Sequence, residues 1–149
     1  MQNRGMRMPD DFMQIIVENE KLKNSIVIVD DDSGLNNVLK MYLEKIFPDI
    51  QFIQAFDGFE AGALLMKQKP FCVLLDLNLP GVNGLELCAR LKQEEMYSCP
   101  YVIVISAIED ADIEETAKAV GADLFFRKPL YLKDVADSMK TFFASITEK

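Results

Sequence analysis

Six polar side chains stand directly behind apolar runs, and they are the groups of this chain best placed to do chemistry. Asp30, Asp31 and Asp32 follow Ile26–Val29, and Asp76 follows Phe71–Leu75. Ser106 follows Tyr101–Ile105, and Lys128 lies just past Leu124–Phe126. Carboxylates gathered in a partly buried cleft repel one another and raise each other's pKa unless a cation compensates. A donor set of hard oxygens, without nitrogen or sulfur, favours Mg²⁺ or a similar ion, which keeps several waters and a substrate phosphate. A lysine on the same rim suits one phosphoryl oxygen, and a serine hydroxyl can donate to another. The set is therefore equipped for phosphoryl transfer to a carboxylate, with cations offsetting charge in the transition state.

The chain contains no histidine. That removes His–metal sites, Ser–His or Cys–His nucleophile pairs and any phosphohistidine of its own. Each candidate also has an ordinary reading. Aspartate is a favoured N-cap, which accounts for Asp32 or Ser33 but leaves Asp30 and Asp31 without a reason, and the triple Asp carries a register ambiguity of one residue. Asp76 could open a turn before Pro80-Gly81, and Ser106 could satisfy a strand-end carbonyl. Lys128 could be a solvated lysine before a proline, and Phe125 could be plain core.

What must position these groups is a strict alternation of strands and helices. Ile26–Val29 is a compact β-branched run stopped by Asp30–Gly34, and Leu35, Val38, Leu39, Tyr42, Leu43 and Ile46 then recur at helical spacing up to Phe47-Pro48. Ile50–Phe56 alternates in part, interrupted by Gln51 and Gln54, as in an edge strand with one wetter face. Phe59, Ala63 and Met66 mark a second helix, closed by Lys69-Pro70. Phe71–Leu75 and Tyr101–Ile105 read as buried strands, separated by a helix on Leu85, Cys88 and Leu91. A fourth helix on Ile113, Thr116, Ala117 and Val120 ends at Gly121, a natural position past a helix end. The short strand Leu124–Phe126 precedes a last helix on Leu132, Val135, Met139, Phe142 and Ile146.

Five strands alternating with five helices imply right-handed crossovers and a doubly wound parallel sheet covered on both faces, an α/β fold. Ligands of such sheets bind beyond the carboxyl ends of the strands, where all six polar residues fall. Met1–Asn24 stands outside the count. Phe12, Ile15, Ile16 and Leu22 could form one amphipathic helix there.

At 149 residues the chain fits one domain. The net charge of −8, without a basic stripe, argues against nucleic acid as a direct partner. No apolar stretch reaches the length of a membrane span and the N-terminus lacks a signal-like core, so the expected location is the cytoplasm. Cys72, Cys88 and Cys99 are odd in number and lack CxxC spacing, which reads as reduced thiols.

The segments IVIVDDDS, LLDLNLPGVNG, VIVISA and FFRKPL, in this order and spacing, resemble the response-regulator receiver domains of two-component signalling. The match runs from about Ser25 to near the end, giving a receiver domain over 25–149 and an N-terminal extension over 1–24. The resemblance implies a flavodoxin-like (βα)5 sheet of strand order 2-1-3-4-5, with the extra N-terminal helix in front. It implies Asp76 as phosphoacceptor, with Mg²⁺ held by Asp30, Asp31, Asp76 and the backbone carbonyl of Asn78. Within the acidic pair, Asp31 would lie on the metal and Asp30 would act partly through water, which places the pair directly after the apolar run. Lys128 would occupy the family's lysine position, Ser106 the hydroxyl position and Phe125 the aromatic switch position. A cis bond at Lys128-Pro129 is also implied.

By the same resemblance, Asp76 attacks the phosphorus of a phosphohistidine on a sensor histidine kinase or a histidine phosphotransfer protein. Ser106 and Phe125 then shift, altering the face made by the fourth helix, fifth strand and fifth helix. The protein would be a signalling switch rather than an enzyme, catalysing only its own phosphorylation and dephosphorylation. Asn78 and Ile108 flank the site at positions that tune hydrolysis of the aspartyl phosphate. Ile108 cannot orient a water, so a persistent phosphoryl state is expected. The starting Met1 and the extension favour a stand-alone protein resembling chemotaxis regulators over a fragment of a larger regulator lacking its output domain. An aspartyl-phosphate phosphohydrolase resembling the haloacid dehalogenase group would want an acid two residues after the nucleophile, where this chain has Asn78. An unphosphorylated interaction module would have lost Asp76, Asp31 or Lys128.

Overall fold

The computed structural model describes residues 25–147, so the helix expected within residues 1–24 lies outside the described residues. Five parallel strands form one sheet: β1 (Ser25–Val29), β2 (Gln51–Ala55), β3 (Cys72–Asp76), β4 (Tyr101–Ser106) and β5 (Leu124–Arg127). They are joined by α1 (Ser33–Ile46), α2 (Gly58–Gln68), α3 (Gly84–Gln93), α4 (Ile113–Ala119) and, after β5, α5 (Leu132–Thr147). The order across the sheet is 2-1-3-4-5, as the resemblance implies. Between β3 and α3 the chain makes a small antiparallel ribbon, Asn78–Leu79 against Val82–Asn83.

Alternation along the strands divides the core in two. Ile26, Ile28, Cys72, Leu74, Ile103 and Ile105 pack under α1 and α5 with Leu39, Leu43, Val135 and Met139. Val27, Val29, Val73, Leu75, Val102 and Val104 face α2, α3 and α4 with Ala61, Leu65, Leu91 and Ala117. The central strands are buried on both faces, which is why they read as unbroken apolar runs rather than alternating ones. β2 pairs with β1 alone and presents Gln51 to solvent, as an edge strand should.

One helix is turned from its expected phase. α2 directs Gly58, Ala61 and Leu65 inward, while Phe59, at 89% exposed, and Met66, at 48%, face solvent with Ala63. Both stripes have helical spacing. The smaller one wins because it lets the helix lie close to its neighbours: a Cβ on Gly58 would run into Val82 of the ribbon. α4 ends as expected, with Gly121 in the left-handed region at φ +115°.

Candidate functional site

Parallel pairing brings the carboxyl ends of β1, β3, β4 and β5 to one rim. Asp76 pairs with Ile105, and Ser106 with Arg127, so the third, fourth and fifth strands end within a residue or two of one another. Asp30 leaves β1 at its last step, where its N–H donates to Ala55 O at 3.1 Å. Asp32 caps α1, its Oδ1 accepting from Leu35 N–H at 3.1 Å. The structure thereby separates the triple Asp: the third residue caps a helix, and the first two stand at the rim.

Asp30, Asp31 and Asp76 each offer an oxygen, and these oxygens lie within 4.8 Å of one another. Asp30 and Asp76 are 2% and 3% exposed, while Asp31 is open to solvent. Lys128 reaches in from the turn after β5. Its Nζ is 3.1 Å from Asp30 Oδ2 and 3.5 Å from Asp76 Oδ2. The Lys128-Pro129 bond is cis.

The remaining oxygens of the buried acids have local partners. Asp30 Oδ1 accepts from Asp32 N–H at 2.9 Å, and Asp76 Oδ1 accepts from Asn78 N–H at 3.1 Å. Burial, with the nearby charge of Asp30, still pushes the Asp76 carboxyl up to about 6, against the Asn78 N–H and the Lys128 charge, which act the other way. Lys128 shows the reverse balance: burial lowers its affinity for a proton, but hydrogen bonding to Asp30 and the charge of Asp76 outweigh this and raise it.

Ser106 is fully buried at the end of β4, its Oγ accepting from Ile108 N–H at 3.0 Å, and its carbonyl accepts from Lys128 N–H at 2.9 Å. Ile108 is half-buried against the second core half. Phe125 lies on β5, half-buried, with the Arg127 guanidinium 5.4 Å from its ring centre. Asn78 is exposed and opens the ribbon, whose two ends are drawn together where a Cβ on Gly84 would strike the Leu77 backbone.

The acids, Ser106 and Lys128 are thus brought to one rim, with Asn78 and Ile108 flanking it, while Phe125 sits further back on β5, opposite Val104. The donor chemistry fits a hard divalent cation: three carboxylates, two sheltered and one wet, with one ammonium beside them. A residue missed in the sequence also touches this rim. Asn36 is fully buried on α1, and its Nδ2 donates to the carbonyls of Asp30 and Ala55, each at 3.0 Å. The signal was present, because Asn36, Leu39 and Leu43 share one helical face and a polar residue there demands a buried partner.

A family model described as the response regulator receiver domain matches residues 26–140. The sporulation initiation phosphotransferase F of Bacillus subtilis is 31% identical over 81% of this chain and 94% of its own length. The transcriptional regulators RpaA of Synechocystis sp. and SrrA of Staphylococcus aureus are each 31% identical, and the chain spans about half of their lengths, 45% and 47%. Among solved structures, the receiver domain of a DNA-binding response regulator from Colwellia psychrerythraea superposes with a TM-score of 0.75 at 32% identity, covering 79% of this chain and 96% of that one. The receiver domain from Bermanella marisrubri gives 0.70 at 28% identity, covering 80% and 97%.

Proposed function

This chain belongs to the response regulator receiver domain family, and we propose that within it Asp76 is the residue that takes the phosphoryl group. The observation that carries this reading is the approach of three carboxylates to within 4.8 Å, with Lys128 between the two buried ones. Receiver domains act as signalling switches, phosphorylated by histidine kinases or histidine phosphotransfer proteins, and they bind Mg²⁺ at an acidic pocket. In this chain Asp30, Asp31 and Asp76, with the Asn78 carbonyl, would hold that ion. When bound it supplies positive charge that offsets the acids' repulsion and the charge on the transferring group.

The side chains do the rest. An Oδ of Asp76 attacks the phosphorus of a phosphohistidine brought by a partner, the P–N bond breaks, and the electron pair leaves on the imidazole. Lys128 Nζ, already 3.5 Å from Asp76 Oδ2, turns to a phosphoryl oxygen of the product. Ser106 donates its hydroxyl hydrogen to another. Drawing Ser106 inward vacates space beside β5, which Phe125 can follow, so the charged product biases the face formed by α4, β5 and α5.

The match over 94% of a relative named as a phosphotransferase supports passing the phosphoryl group onward. The match to half of two transcriptional regulators supports a second reading, in which the same domain governs an attached output module. Incubation with acetyl phosphate and Mg²⁺, followed by intact mass, tests the acceptor. One phosphoryl adduct is expected in the native chain and none in Asp76→Asn; an adduct retained by the variant overturns the assignment.

A further inference from the structure

Gln54 is a half-buried polar residue inside the edge strand, and Asn36 interrupts the buried face of α1. The two side chains meet: Gln54 Nε2 donates to Asn36 Oδ1 at 3.1 Å and to Asn37 Oδ1 at 2.7 Å. With its oxygen so engaged, Asn36 must turn its NH₂ toward the rim. That NH₂ donates to Asp30 O and Ala55 O at 3.0 Å each, and a weaker contact runs to Ile28 O at 3.4 Å. A buried amide persists only when its donors and acceptor are all used, and here they are.

The position of these bonds matters more than their number. The β1 ladder ends at Val29, so the Asp30 carbonyl lies beyond the sheet and takes the Asn36 amide instead. That carbonyl belongs to the peptide unit joining Asp30 to Asp31. Holding it fixes the plane from which the Asp31 side chain departs. On the other side, Asp32 N–H grips Asp30 Oδ1 at 2.9 Å. Asn36 is itself fully buried, which shuts out water as a substitute donor.

We propose that Asn36, oriented by Gln54, is a positioning residue for the acidic pair: it sets the Asp30–Asp31 peptide plane, and with it the affinity of the rim for a divalent cation. The inference rests on the reading of this rim as the cation-dependent acceptor site. Groups that orient metal ligands from behind alter metal affinity by about 10- to 100-fold when lost. The effect is a change in cation requirement, and the reacting groups Asp76, Lys128 and Ser106 keep their places.

The test compares Asn36→Leu and Gln54→Leu with Leu39→Ala, which weakens the same helix without touching the rim. Mg²⁺ affinity is read by calorimetry in the full chain, alongside the Mg²⁺ dependence of labelling by acetyl phosphate and the melting temperature in EDTA. For Asn36→Leu, Mg²⁺ affinity should fall about 10-fold, with labelling at saturating Mg²⁺ within about twofold of native. Gln54→Leu, which retains the buried amide, should shift the Mg²⁺ requirement in the same direction by a smaller factor, and it decides the matter if Asn36→Leu does not fold. Leu39→Ala should lower the melting temperature with unchanged Mg²⁺ affinity. Variants at Asn36 and Gln54 that melt early yet bind Mg²⁺ like native protein overturn the proposal. Native protein that binds no Mg²⁺ overturns instead the reading beneath it.

Discussion

Lys128 Nζ stands 3.1 Å from Oδ2 of Asp30, an ion pair in which the carboxylate is only 3% exposed and the ammonium 19%. Asp76 takes second place at 3.5 Å. One ammonium therefore serves two buried acids, and the arrangement is balanced so that a second cation can enter beside it. Replacing Lys128 by Met leaves two carboxylates facing each other without compensation. Removing one partner of a buried pair costs several kcal/mol, and the partial exposure of this lysine reduces that to about 1–3 kcal/mol. Urea unfolding in EDTA at neutral pH should show that loss, together with labelling by acetyl phosphate slowed at least about tenfold, as loss of a charge-stabilising group requires. An unchanged labelling rate would remove Lys128 from the chemistry.

The raised pKa of Asp76 has a definite sign in stability. Burial pushes its carboxyl up to about 6 in the fold, above the 3.8 of an ordinary aspartate. The folded protein thus binds this proton more tightly than the unfolded chain, and the ionised group costs stability above about pH 6. As pH falls from 6 toward 4 the cost is relieved. Removing the charge by Asp76→Asn should therefore stabilise the protein in EDTA at neutral pH by on the order of 1–3 kcal/mol, with the gain vanishing near pH 4. A variant less stable than native at pH 7.5 would contradict the account of Asp76 as a strained anion.

The same proton competes with a cation. Carboxylate ligands must be ionised to bind metal, so affinity falls as they protonate. Mg²⁺ affinity should be flat above about pH 7 and weaken about tenfold for each unit below the Asp76 pKa of about 6. Titrations at pH 7.5, 6 and 5 measure this directly, at constant ionic strength. Equal affinity at pH 7.5 and 5 would mean that Asp76 is not among the ligands.

Much of this molecule was legible before its structure. Five strands and five helices, their parallel sheet and the rim followed from apolar runs broken by acids, a serine and a lysine, while the strand order followed from the family resemblance. An unbroken apolar run marked each strand buried on both faces, as at Cys72–Asp76, and periodicity served for the helices. It misled at α2, where two stripes share helical spacing and the bulkier one, Phe59 with Met66, faces solvent. Volume is visible in a sequence, whereas the close approach that selects Gly58 is a property of the neighbouring ribbon. Asn36 and Gln54 escaped for a related reason. Each looks like a blemish on an apolar pattern until the other is placed beside it, 18 positions away.

Ile108 sets the last prediction. Its N–H holds Ser106 Oγ at 3.0 Å and its carbonyl accepts from Arg127 Nη1 at 3.2 Å, so its backbone is fixed at the edge of the site. The side chain offers no donor or acceptor. Hydrolysis of an aspartyl phosphate needs a water aligned opposite the Asp76–phosphorus bond, and an orienting carboxylate or amide contributes to that alignment by hydrogen bonding. An isoleucine can only exclude water. The phosphorylated native protein should therefore outlive Ile108→Glu and Ile108→Gln by several-fold, short of the roughly 100- to 10,000-fold of full general acid–base assistance because these side chains only orient the water. The rate is read by following loss of the adduct in intact mass after the phosphodonor is removed. Because Arg127 already reaches the Ile108 carbonyl, the Glu variant could be captured by that guanidinium, and the uncharged Gln variant checks for this. A native half-life no longer than that of either variant would show that the water is oriented from elsewhere on the rim.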